Sequence, residues 1–155
     1  MDIKVFFSFE YSDIWRATVV RSSWLTIGKV ATGFADVAEI EDITRQGHAA
    51  LKHWINSQLK NTSVTVVLVG RHTCSSQLVK YGIEKSIERG NELLGIDISK
   101  IKDLKGKTTS RCGHVPKDYP FYLWNKDDGD INIDDWIERA AKVSENSRKI
   151  EKTTI

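Results

Sequence analysis

Apolar positions along this chain fall into two rhythms. Short runs that are apolar on both faces alternate with longer stretches in which apolar residues recur every three or four positions. Ile3–Phe9 is the first short run, β-branched and aromatic, as a strand buried inside a parallel sheet requires. Ser12 or Asp13 is placed to cap a helix on which Ile14, Val19, Val20 and Trp24 share one side. A weaker strand is expected at Gly33–Val37. Glu41–Leu59 then reads as one long amphipathic helix, with Ala50, Trp54, Ile55 and Leu59 on a shared face and Asn61-Thr62 closing it. Val64–Gly70 is the clearest strand, a run of β-formers ended by glycine. Thr73 or Ser75 is expected to cap a third helix reaching about Glu88, which Gly90-Asn91 terminates. A strand at Leu93–Ile98, a long loop over 99–118, an edge strand at Phe121–Trp124 and a helix from Ile131 to about Val143 complete the pattern. The polar tail Ser144–Ile155 is expected to fray.

Strands alternating with helices at this spacing imply an α/β fold, a parallel sheet with helices on both faces. Five strands suggest a flavodoxin-like three-layer domain of strand order 2-1-3-4-5, with its ligand crevice beyond the carboxyl ends of the strands. The length of 155 residues suits one domain. No repeat or linker divides it, so residues 1–143 are expected as the domain and 144–155 as its tail.

Composition adds mainly exclusions. Hydrophobic residues make up 40% and charged residues 28%, the ordinary globular range. A formal net charge of +2 gives no reason to invoke nucleic acid. The basic stretch Lys100–Arg111, broken by Asp103, is read as a solvated loop or as a rim that attracts an anionic ligand. No apolar run is long enough to span a bilayer, and Met1–Lys4 does not open a secretory signal. Two cysteines do not make a disulfide framework, so a soluble, cytoplasmic protein is expected.

Candidate chemistry is sought in the loops after the first four strands. Ser8-Phe9-Glu10-Tyr11 lacks the glycines of a dinucleotide turn, and no P-loop is present. His72-Thr73-Cys74 and Cys112-Gly113-His114 pair good zinc ligands, but one intervening residue is an unusual spacing for a structural site. No metal is therefore assigned, and the two segments are read as a helix-start cysteine and an unrelated loop. Cys74 as a nucleophile is an alternative that lacks an assigned base. The acidic cluster Asp36, Glu39, Glu41 and Asp42 either favours the start of the following helix or offers carboxylates to ribose hydroxyls. Trp54 and Trp136 fall at core spacing.

Several segments together carry a family resemblance. They are Lys4–Asp13 (KVFFSFEYSD), Val19–Trp24 (VVRSSW), Phe34–Asp42 (FADVAEIED), Ala50–Asn56 (ALKHWIN), Asn61–Gly70 (NTSVTVVLVG) and Tyr81–Asn91 (YGIEKSIERGN). Over about residues 3–98 the chain resembles the TIR-like domain of the Thoeris antiphage defence system. The resemblance implies an enzyme that takes NAD⁺ as substrate, needs no cofactor and breaks the bond between nicotinamide and ribose. It further implies a cyclic or conjugated ADP-ribose signal that diffuses to a separate effector, with self-association as a further property. Carried over by position, Ser8, Phe9 and Glu10 end the first strand where the family's nucleotide pocket begins. Asp36 and Glu41 border that pocket, and Tyr81 precedes the catalytic position.

The catalytic position departs from the family. The family's motif in the third helix has the form (Trp)-Val-x-Tyr-Glu-Ile, and here Leu78–Ile83 reads LVKYGI, placing Gly82 where the glutamate is expected. Cleavage of a glycosidic bond passes through an oxocarbenium-like state, which a nearby carboxylate stabilises and a glycine does not. Glu84 is no replacement, because two residues along a helix is about 200° around it. Gly82 also costs the helix about 1 kcal/mol relative to alanine. Three origins stay open: an inactivating substitution, a degenerate copy, or a glycine required for close approach. Two functions accordingly stand side by side, a signal-producing enzyme altered at Gly82 and a non-catalytic assembly module. A response-regulator receiver would need an aspartate after the third strand, where Gly70-Arg71 stands.

Overall fold

Five strands form one all-parallel sheet in the order β2-β1-β3-β4-β5. They are β1 (Lys4–Ser8), β2 (Val30–Thr32), β3 (Val64–Val69), β4 (Glu92–Asp97) and β5 (Phe121–Leu123). The helices are α1 (Ile14–Thr26), α2 (Val37–Arg45), α3 (His48–Leu59), α4 (Gln77–Glu88) and α5 (Gly129–Thr153). The computed structural model describes the backbone of residues 3–26 and 30–153 and the side chains of residues 3–24 and 30–145. The expected flavodoxin-like α/β architecture is thus the observed one.

The three central strands, β1, β3 and β4, stand where the apolar runs put them. Every residue of β3 is buried, because helices cover both faces, and its one polar residue, Thr65, shares a hydrogen bond with the Ser86 hydroxyl at 2.7 Å. One face of the sheet carries Val5, Phe7, Val66, Leu94 and Ile96 into a core shared with Val20 and Trp24 of α1 and with Ile133 and Ile137 of α5. Full burial of each such side chain contributes about 1.5–3 kcal/mol. Trp136 is buried and stacks on Tyr122, with centroids 4.1 Å apart, whereas Trp54 packs half-buried against the core.

Several boundaries differ from the sequence pattern, each for a local reason. The second strand lies at Val30–Thr32 rather than Gly33–Val37, since the Gly33 N–H is taken by Gln58 Oε1 (2.9 Å) and not by a neighbouring strand. Asp36 is instead the N-cap of α2, accepting from Glu39 N at 2.7 Å. The expected long helix is two, because Gly47 between α2 and α3 adopts φ 106°, which helical backbone does not contain. Neither Thr73 nor Ser75 caps α4; Thr73 Oγ1 accepts from Gly70 N, and Ser76 is the cap through Val79 N. Gly90 ends α4 as expected, at φ 84°.

At the carboxyl-terminal end, α5 continues past Val143 to Thr153 where fraying was expected. Ser144 is buried there, and its hydroxyl donates to Gly90 O at 3.4 Å. Residues 154–155 of that tail lie outside the described residues. No helix among the described residues is long and apolar enough to cross a membrane.

Candidate functional site

A short 3₁₀ turn, Tyr11–Asp13, carries the chain from β1 into α1 and divides the carboxyl edge of the sheet. On one side lies a cavity of about 580 Å³ between this turn and α2. Glu10, Tyr11 and Ser12 form one wall, and Ile40, Glu41, Thr44 and Arg45 of α2 form the other. Glu10 and Glu41, both expected near a nucleotide, are therefore brought to one site. Arg45 supplies a cation among them, and the ring of Tyr11 is apolar surface.

Tyr11 organises that edge. Its hydroxyl donates to Gly33 O and accepts from Ala35 N at 3.1 Å, tying the end of β1 to the connection between β2 and α2. Its ring stacks on Phe9 with centroids 4.6 Å apart. Burial pushes the Tyr11 hydroxyl well above the usual phenol range, so it stays protonated and acts as a tie. Tyr11, Thr44 and Arg45 were not singled out in the sequence. An aromatic beside Glu10 with a polar tip was the only signal for the first.

The other expected positions separate. Phe9 is 1% exposed and packed between Tyr11 and Phe34, so it serves the core rather than a ligand. Asp36 caps α2 and lines neither wall of the large cavity. Tyr81 faces a groove of about 190 Å³ between α3 and α4, where its hydroxyl accepts from Asn56 Nδ2 at 3.2 Å. Lys52 and Lys85 place their ammonium groups 5.4 and 5.8 Å from the ring centroid. Glu84 is exposed and lines this same groove, on the far side of α4 from Gly82, as helical geometry requires.

Gly82 is buried on the face of α4 that packs against β1. A Cβ there would lie 2.9 Å from Ser8 Oγ and 3.4 Å from Phe6 Cε2, and Gly82 lines neither cavity described above. The glycine thus allows a close approach of α4 to the carboxyl end of β1. Ser8 Oγ, buried beside it, has no hydrogen-bond partner. A larger residue at 82 requires Ser8 Oγ to turn aside, and that rotation breaks no hydrogen bond.

The two cysteine segments are not unrelated. Cys74 and Cys112 form a disulfide, and Cys74 N donates to Cys112 O at 3.0 Å while Cys112 N donates to Gly70 O at 2.9 Å. The sulfur atoms are committed to each other, which removes Cys74 as a nucleophile in this state. Among the described residues no group of three or more His, Cys, Asp or Glu could hold a metal ion. Sequence reasoning missed this pairing because a separation of 38 residues carries no information about distance.

The family described as "Thoeris protein ThsB, TIR-like domain" matches residues 6–103. A protein of Bacillus cereus (strain MSX-D12), named "Putative cyclic ADP-D-ribose synthase ThsB1", is 41% identical over 136 residues, covering 86% of this chain and 70% of that protein. The chain belongs to the ThsB TIR-like family of the Thoeris system.

Proposed function

We propose that this chain descends from an NAD⁺-cleaving signal synthase of antiphage defence and that Gly82 leaves it with negligible turnover. The carrying observation is the 41% identity over 136 residues to a relative named for cyclic ADP-ribose synthesis. Position 82 packs against Ser8, two residues before the wall of the Glu10–Glu41 cavity, but it is buried and lines neither cavity described above, so the reading rests on the identity rather than on a pocket at that position. NAD⁺ is the substrate, an NAD⁺ nucleosidase or ADP-ribosyl cyclase step is the chemistry, and a cyclic or conjugated ADP-ribose product acts on a separate effector in the cytoplasm.

The chemistry asks for one carboxylate near the ribose. Departure of nicotinamide leaves positive charge on the anomeric carbon, and a carboxylate stabilises it in a site shielded from water. Glu10 and Glu41 lie at the rim and hold ribose hydroxyls in this reading, whereas Gly82 contributes no charge.

The test is nicotinamide release from NAD⁺ by the chain as it stands, by Gly82→Glu, and by Gly82→Glu combined with Ser8→Ala to make room. The unaltered chain is expected to release none, and at least one glutamate variant is expected to release nicotinamide and an ADP-ribose product. Folded glutamate variants, verified by circular dichroism, that release nothing end the enzyme reading. In that case a second function, a non-catalytic module that assembles with itself or a defence partner, is the one to pursue. Light scattering of the full chain with and without the candidate partner then decides, since a strict monomer that binds neither protein nor nucleotide has no assembly role.

A further inference from the structure

On the opposite side of the Tyr11–Asp13 turn lies a second cavity, of about 320 Å³, whose chemistry the reading above does not use. It sits over the carboxyl ends of β1 and β3. Chain connections leave these neighbouring strands toward opposite faces of the sheet, and such a switch point opens a crevice in doubly wound folds. Its charged lining is Asp13, Arg16, Arg71, His72, Asp103 and Lys107.

Two of these residues build the wall. Arg16 donates from Nε to Ile101 O at 2.7 Å and from Nη2 to Lys107 O at 3.1 Å, so its guanidinium fixes the 98–120 connection against α1. Asp103 Oδ1 accepts from Lys105 N and Lys107 N, both at 2.9 Å, and shapes the turn that presents Lys107. Arg71 and Lys107 also line the cavity and are exposed. Among the described residues neither Arg71 nor Lys107 takes part in an ion pair.

Asp13 is the feature that needs a ligand. It is only 4% exposed, and its Oδ2 is buried with no hydrogen-bond partner. The carboxylate rests directly on Gly70, where a Cβ would meet Oδ2 most closely and Oδ1 at 2.8 Å, so a glycine is required beneath it. Burial raises the Asp13 pKa above the usual carboxylate range, and Arg16 and His72 oppose that rise while Glu10 adds to it. A bare anion would satisfy Arg71 and Lys107 but be repelled by this carboxylate. A bare cation would meet the reverse. A ligand that joins a phosphate to a hydroxyl donor matches both halves.

We infer that this cavity binds a phosphorylated sugar, with its phosphate on Arg71 and Lys107 and a sugar hydroxyl donating to the Asp13 carboxylate. Binding requires no turnover, so the inference stands or falls separately from the signal-synthase reading. Charge-assisted hydrogen bonds to phosphate supply the affinity, and the hydroxyl contact supplies the selectivity.

The test is a titration of the full chain, followed by amide NMR shifts and calorimetry, with ribose 5-phosphate, inorganic phosphate and AMP. Ribose 5-phosphate is expected to bind about tenfold more tightly than inorganic phosphate, with shifts centred on residues 13, 71 and 107. The Arg71→Ala/Lys107→Ala double variant, altered only at exposed positions, is expected to weaken both ligands at least about tenfold. Asp13→Asn is expected to erase the preference for the sugar while leaving inorganic phosphate bound. AMP that binds more tightly than ribose 5-phosphate identifies a nucleotide as the source, and equal binding identifies a free sugar phosphate; both results support the site. Absence of ribose 5-phosphate binding at millimolar concentration, or binding that the double variant leaves unchanged, overturns the inference. Should Asp13→Asn not fold, the double variant alone decides.

Discussion

The central sheet and the connection between β4 and β5 hold their shapes by opposite means. In β3 and β4, buried Val, Leu and Ile side chains do the work, and many residues share the load. The 98–120 connection has no strand or helix and buries only Ile98, Ile101, Val115 and Ser99 among its described side chains. It is held by single atoms: Arg16 on two of its carbonyls, Thr109 N on Ser99 O, Asp103 on its own amides, and the Cys74–Cys112 bond. Distributed burial tolerates small changes, whereas point ties fail one at a time. The connection supplies a wall of the 320 Å³ cavity, so the less redundant region shapes that opening.

The largest expected effect lies in the sheet. Leu94→Ala should cost about 3–4 kcal/mol in urea unfolding, because the truncated side chain leaves a cavity the packed helices do not fill. A loss under about 1 kcal/mol would show that the sheet is less distributed than described. Next comes the disulfide. Cys112→Ala, or reduction by a dithiol, should lower stability by about 2–3 kcal/mol, since the bond closes a span of 38 residues. Amide exchange should rise in 98–118 more than in β3. Equal acceleration in both regions would erase the contrast.

Asp13 lies where the two regions meet and gives a smaller effect of defined sign. Its folded pKa is raised by burial, so the stability it contributes is full below the unfolded carboxylate value and is lost as pH rises through the folded one. Asp13→Asn should therefore stabilise the chain by about 1 kcal/mol at pH 7, with the gain shrinking toward pH 4, in thermal melts across that range. A gain that grows on acidification contradicts the assignment. Smallest is Ser8→Ala, which removes a buried hydroxyl without a partner and should change stability by about 0.5 kcal/mol in the favourable direction.

What could be read from the sequence follows the same division. β1, β3 and β4 were legible because a segment buried on both faces has little freedom in residue type, and Val64–Val69 shows this most clearly, whereas the partly exposed edge strand β2 lay outside the span expected for it. Gly47 was harder: an isolated glycine inside a helical pattern is tolerated by many helices, and only its φ of 106° shows the break. The contact of Gly82 with Ser8 depends on α4 packing against β1, which periodicity does not specify. Glu10 and Glu41 line one cavity, while Phe9 and Asp36 were claimed by packing and capping. The long-range partners of the connection were illegible, because Arg16 and the Cys74–Cys112 bond join atoms 38 to 91 residues apart.

Cys74 and Cys112 also give the polypeptide a covalent ring, and α4 and β4 lie wholly inside it. A protease that cuts once between the two cysteines leaves a single molecule, whose halves part only when thiol is added and the fold is undone. Position 82 is within that ring, so α4 stays tethered at both ends even after the backbone there is nicked.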